Sequence, residues 1–391
     1  MSNRSLMSTL KLLGRVNRPT ARQLATCTRQ FSTTTSREVR ATFVETENEE
    51  LNSVLKTIQE KTIFPAYLPR KQQKIVFNPK MRVFMQQNPI VIEVDGIEHR
   101  FSPIDRSTDI PNSKKSFNQV LDLMETSDDW ANLGTLLAGY KKAGVRLRLQ
   151  HWGKLIRRAA DTGNIYAIIE CAKQAERTGL KFQTHEMVVR LLASINDKII
   201  AGDEGATQQA AKWMNVVLDL LHYREQVPRK NIAGDTKMHL SRLARGLVLF
   251  TRVSAVSTKQ SAGQDAAAEL TALRDELALL RTLWKDADLK NLDSLPEFAA
   301  LHPLLTTEFR KLNGAAYVNV IAQNIKAISL SREFAAVDAN ELEAVEAALS
   351  EHLEQYGKSD ERRDARWAEV YEQVLGAKPS WPSLPSKPSK A

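Results

Sequence analysis

The sequence predicts a mainly α protein, an array of antiparallel helical hairpins preceded by a small N-terminal β-hairpin and an extended basic arm. Three observations carry that expectation. From Pro111 onward, apolar residues recur at helical spacing for more than two hundred residues. The breaks are short and fall at Gly144, Gly163, Gly179, Gly202, Pro228, Gly263, Pro296, Gly314 and Gly357, as expected where one helix follows another. Finally, Ala143-Gly144-Val145-Arg146-Leu147 and Thr178-Gly179-Leu180-Lys181-Phe182 are near-equivalent helix exits thirty-five residues apart, the period of a stacked helical repeat.

Residues 1–38 have the composition of a mitochondrial transit peptide: Arg4, Lys11, Arg15, Arg18, Arg22, Arg29 and Arg37, many Ser and Thr, and no acid before Glu38. Within them Arg29-Gln30-Phe31-Ser32-Thr33-Thr34 resembles the pattern of precursors cut twice, here after Gln30 and again after Glu38. A disordered basic arm is the competing reading. No apolar run is long enough to span a bilayer, so a mitochondrial matrix protein with no membrane span is expected.

Residues 39–110 form the second expected segment, the arm and the hairpin. A short polar helix over 47–62 leads into Phe64-Pro65-Ala66-Tyr67-Leu68-Pro69, where the prolines suggest extended chain. No acid occurs between Glu60 and Glu93, while Lys61, Arg70, Lys71, Lys74, Lys80 and Arg82 are interleaved with Tyr67, Phe77 and Phe84. Cations mixed with aromatics suit an arm that follows phosphates and stacks on bases. A solvated linker fits equally well. Ile90–Val94 and Ile97–Phe101 then flank Asp95-Gly96, a type I′ turn dipeptide, and a hairpin of only two strands must lean on a helix or pair with residues 74–77.

Helices are predicted over 114–125, 129–143, 149–161, 165–177, 184–200 and 207–223, grouped as a repeat domain at 111–227. Those over 236–253, 265–284, 299–312, 315–329, 340–355 and 360–375 form a C-terminal domain at 228–377. The tail, 378–391, is rich in Pro, Ser and Lys and is expected to be disordered unless Trp381 and Leu384 anchor it.

Charge divides the chain. The net charge of the whole sequence is +9, but the presequence supplies most of it. Residues 61–160 hold seventeen basic and nine acidic side chains, and the remaining mature chain is mildly acidic. A second acid-free window, between Asp129 and Asp161, contains Lys141, Lys142, Arg146, Arg148, Lys154, Arg157 and Arg158. On the helix at 149–161, Trp152, Leu155, Ile156 and Ala159 form the buried stripe, leaving His151, Lys154 and Arg158 on another face beside Arg157. Such a face suits a polyanion, although a basic run on a helix is often only solvated.

No chemistry of catalysis is visible: the sequence has no Gly-rich phosphate loop, H-E-x-x-H, paired Cys or G-x-S-x-G. Cys27 lies in the presequence and Cys171 on an apolar helical face. His185, Glu186 and His222 could in principle meet at a metal but fit ordinary positions better. Catalytic residues, cofactors, metals and a small-molecule substrate are accordingly not expected.

Two resemblances add to this. Gln150-His151-Trp152-Gly153-Lys154-Leu155-Ile156, Ala160-Asp161-Thr162-Gly163-Asn164 and Ala175-Glu176-Arg177-Thr178-Gly179-Leu180-Lys181 resemble a pentatricopeptide repeat, a relative of tetratricopeptide hairpins. That family lines a concave RNA-binding surface with its first helices. One good unit is present, with a degenerate one at 116–148 and a looser one after 183, so shape and charge are a better basis for recognition here than a base code. The segment from Phe101-Ser102-Pro103-Ile104-Asp105-Arg106 through Asp109-Ile110-Pro111-Asn112-Ser113-Lys114-Lys115-Ser116-Phe117 and on to Gly179 resembles fungal proteins of the mitochondrial large ribosomal subunit related to ribosomal protein fifty. The resemblance implies a structural component of the mitochondrial ribosome with rRNA and other mitochondrial ribosomal proteins as partners. RNA contact is then expected at Arg70, Lys71, Lys74, Lys80, Arg82, Lys141, Lys142, Arg146, Arg148, Lys154, Arg157 and Arg158. The alternatives are a dissociable mitochondrial RNA factor for mRNA maturation or translation activation and, behind it, a protein-only assembly scaffold.

Overall fold

Helix α1 (Glu49–Ile58) begins where the Asn48 side chain accepts the Leu51 amide, and it buries Leu51, Leu55 and Ile58 along one stripe. The chain is known here from a computed structural model, which describes residues 42–94, 96–202, 205–222, 237–303, 311–359 and 365–381. The expected transit peptide and Leu384 lie outside the described residues.

A π turn (Gln59–Ile63) and a 3-10 turn (Phe64–Tyr67) then lead to α2 (Arg70–Val76), α3 (Arg82–Gln87) and the hairpin of β1 (Val91–Val94) and β2 (Ile97–Arg100). The strands pair antiparallel, Val91 opposite Arg100 and Val94 opposite Ile97. The extended arm expected from the sequence is therefore corrected: this region is a folded module of short helices. Its prolines start turns instead of preventing them. Pro65 and Pro79 sit in the first turn of 3-10 helices and Pro69 caps α2, positions where a missing N–H costs nothing. The module has a core of its own, made by Phe64, Leu68, Val76, Met85, Ile90, Val94, Phe101 and Ile104. The hairpin leans on the helices: the Ile104 amide donates to the Val76 carbonyl at 2.9 Å, just after β2.

The repeat follows as α4 (Ser113–Leu123), α5 (Ser127–Ala131), α6 (Leu133–Lys142), α7 (Leu149–Asp161), α8 (Ile165–Lys173), α9 (Ala175–Thr178), α10 (His185–Ala201) and α11 (Ala206–His222). Packing runs in two layers, α1 on α4 on α7 on α10, and α6 on α8 on α11. Gly144 and Gly179, at φ +73° and +78°, end corresponding helices in the left-handed conformation that side chains avoid. The thirty-five-residue spacing is thus a true structural period.

The C-terminal half comprises α12 (Arg242–Ser261), α13 (Ala267–Trp284), α14 (Pro296–Leu301), α15 (Gly314–Asn340), α16 (Glu343–Ser359) and α17 (Ala365–Leu375). Helix α15 runs past the expected stop at 329 and bends at Ala335, whose φ of −145° and ψ of 56° are non-helical. One core of buried side chains extends from Leu51 to Trp381. Helix α10 lies within it, packed by α7, α8, α11, α12, α14 and α15. Buried amides fix the crossing of α10, α12 and α15. Asn196 donates to the Leu247 carbonyl at 2.9 Å and to Gln323 Oε1 at 3.0 Å, and accepts from Thr251 at 2.6 Å. Gly246 is where α12 meets α15, since a Cβ there would overlap the Asn324 carboxamide.

At the tail, Trp381 is buried over Gly357 and meets Tyr371 edge-on, ring centres 5.0 Å apart. It is one of the two anchors that the sequence named. Among the described residues no helix is long and apolar enough to cross a membrane.

Candidate nucleic-acid interface

The twelve expected contact residues divide into three groups. On the N-terminal module Arg70, Lys71, Lys74, Lys80 and Arg82 are all exposed, and none forms an ion pair among the described residues. Between them stand side chains that a folded surface normally hides: Tyr67 is 42 % exposed, Phe84 43 % and Val83 64 %. Phe77 is partly covered by Arg106, whose guanidinium lies 4.6 Å from the ring centre.

The α6–α7 junction supplies the second part. Lys142 Nζ lies 5.3 Å from the centre of the Tyr67 ring, so the end of α6 touches the module and the two acid-free windows adjoin. Arg146 and Arg148 lie in the same connection, at least partly open to solvent. An open cleft of about 490 Å³ is lined by Asn112, Ser113 and Lys114 at the start of α4 and by Gly144, Val145 and Arg146. The first turn of α4 holds Lys114 and Lys115 and no acid, although a helix N-terminus is already positive. Nearby His151 titrates below the usual imidazole range, first because it is buried and then because Lys114, Arg148 and Lys154 surround it.

On α7 itself the cations are engaged inside the protein. Lys154 bonds Asp122 at 2.8 Å and reaches the Asn118 carbonyl at 3.4 Å. Arg158 donates to the Leu121 and Asp122 carbonyls at 3.2 and 3.1 Å, satisfying the open C-terminal end of α4. Arg157 pairs at 3.4 Å with Glu186, a buried acid on α10 that also holds Arg190 at 2.9 Å. Lys141 likewise donates to the Ala175 and Glu176 carbonyls of α9. The free basic face expected on α7 is replaced by a set of clamps between consecutive repeats. The sequence could not show this, because the partners lie about thirty residues or more away and many are main-chain carbonyls.

Elsewhere, burial pushes the Cys171 thiol up to about 12, so it stays protonated in the core. Glu186 is committed to arginines, and His222 packs on His239 with ring centres 4.2 Å apart. A different histidine cluster went unseen in the sequence: Asp293, His302 and His352, whose members are separated by nine and fifty residues along the chain.

Comparison with known proteins gives the assignment. The family described as Mitochondrial ribosomal protein mS27 matches residues 29–373, nearly the whole chain. The chain belongs to the mS27 family of mitochondrial ribosomal proteins. A curated relative, the small ribosomal subunit protein mS27 of Neurospora crassa, is 33 % identical over 186 residues, covering 47 % of this chain and 47 % of the relative. The match thus spans about half the length of that relative. The mS27 family membership confirms the ribosomal and mitochondrial matrix expectations. It corrects the expected subunit, because the relative is a small-subunit protein and not a large-subunit one. The string of loop and helix residues from Phe101 to Phe117 carried no chemistry that could distinguish the two.

Proposed function

We propose that this chain is a structural, non-catalytic component of the small subunit of the mitochondrial ribosome. It docks on folded rRNA through the N-terminal module and the α6–α7 junction, and it offers its acidic C-terminal half to neighbouring ribosomal proteins. The observation that carries the RNA site is the contact of Lys142 with Tyr67, which joins two acid-free stretches into one surface. That surface presents Arg70, Lys71, Lys74, Lys80, Arg82, Lys142, Arg146 and Arg148 to solvent. Cations around exposed aromatics suit a phosphate backbone with accessible bases. Lys141, Lys154, Arg157 and Arg158 take a supporting role, holding the repeat in shape behind the surface. A base-reading groove is disfavoured, since α10, the first helix of the next repeat, is covered by the C-terminal helices.

The test is sedimentation of mitochondrial lysate after a high-salt wash, with the chain detected in each fraction. It is expected to remain with the small subunit. Recovery with the large subunit, or only in light fractions, would overturn the reading.

A further inference from the structure

Asp293, His302 and His352 come from three separate elements: a 3-10 turn (Leu292–Ser294), the residue closing α14, and the middle of α16. Asp293 Oδ1 lies 3.8 Å from His302 Nε2 and 3.9 Å from His352 Nδ1, and the three atoms all fall within 4.8 Å of one another. Those separations are too long for hydrogen bonds. They leave a gap between one potential ligand atom from each of the three residues.

Three features make the gap unusual. Asp293 Oδ1 is sealed from solvent and has no hydrogen-bond partner among the described residues, although its side chain as a whole is 45 % exposed. A buried carboxylate oxygen is almost always satisfied. His352 is oriented from behind, with Nε2 2.7 Å from the hydroxyl of the buried Tyr317, which leaves Nδ1 as the atom turned to Asp293. That arrangement is the one usual for a metal-binding imidazole, one nitrogen on the metal and the other on a hydrogen-bond partner. His302 is packed edge-on against Tyr317 and Tyr356, ring centres 5.0 Å away in each case.

We propose that Asp293 Oδ1, His302 Nε2 and His352 Nδ1 bind a divalent zinc ion. Two imidazoles and a carboxylate form a borderline nitrogen and oxygen set suited to zinc. An ion equidistant from the three atoms would stand roughly 2.5 Å from each, a few tenths of an ångström beyond ordinary zinc bonds of about 2.0–2.2 Å. Small side-chain rotations close that difference. Bound there, the ion ties the turn before α14 to α16 and so clips the C-terminal helices together. No reaction is implied.

The experiment uses the full-length purified chain, equilibrated with zinc, desalted and assayed for metal and for thermal stability. About one zinc per chain is expected. A chelator should lower the melting temperature by several degrees, with recovery on adding zinc but not magnesium. Asp293→Asn and His352→Gln, which keep shape and remove a ligand, should hold no zinc and melt at the same temperature with or without chelator. Asp293→Cys, which restores a zinc donor, should regain the metal. A wild-type chain that retains no zinc, or variants that retain as much as wild type, would overturn the site.

Discussion

In the N-terminal module Arg70, Lys71, Lys74, Lys80 and Arg82 point to solvent and form no ion pair among the described residues, whereas Lys154, Arg157 and Arg158 on α7 are bonded to Asp122, Glu186 and the end of α4. In sequence the two stretches look alike, both rich in cations and empty of acids. What separates them is the neighbour. Helix α7 is sandwiched between α4 and α10, so its long side chains meet the carbonyl end and the exposed Asp122 of α4 and the buried Glu186 of α10. The module closes on a small core of its own and turns its short helices outward. A run of cations is therefore left open to an outside partner only where the fold leaves nothing for the cations to bond.

The most damaging way to test that contrast is to remove Glu186. Arg190 is buried and Glu186 is its partner, as Glu186 is also for the half-buried Arg157. Glu186→Ala strands a buried guanidinium, and the expected cost is about 3–5 kcal/mol in urea unfolding at constant m-value. A loss below about 1 kcal/mol would show that the α7–α10 junction does not rest on this pair.

Next comes Arg158, whose two bonds end α4. Arg158→Ala should cost about 1–2 kcal/mol, from two hydrogen bonds by a charged donor to carbonyls that water can partly replace. RNA affinity measured on the folded variant should keep its salt dependence. If the salt slope falls instead, Arg158 touches phosphate and the division between clamps and surface is drawn in the wrong place.

Much of this architecture is legible in sequence. The α7 limits, residues 149–161, follow from its apolar stripe, and the paired exits at Gly144 and Gly179 follow from the need for positive φ. What is not legible comes from long-range pairing. Prolines at 65 and 69 read as breakers because only a tertiary core makes them helix starters. The sites split the same way: the exposed basic module is visible as composition, but the clamps on α7 and the Asp293, His302 and His352 cluster depend on residues brought together from distant parts of the chain.

The smallest stability effect and the sharpest functional one should coincide on α2. Arg70→Ala, Lys71→Ala and Lys74→Ala combined remove three charges from the surface of the module, so unfolding free energy should move by no more than about 0.5 kcal/mol per substitution. Binding to small-subunit rRNA should nevertheless weaken, with the slope of log affinity against log salt falling by roughly 0.7–0.9 for each phosphate that the variant no longer neutralises. The pair of readings is what discriminates. A stable variant with an unchanged slope would remove α2 from the interface, and a destabilised one would mean that these cations, like those of α7, are bonded within the protein.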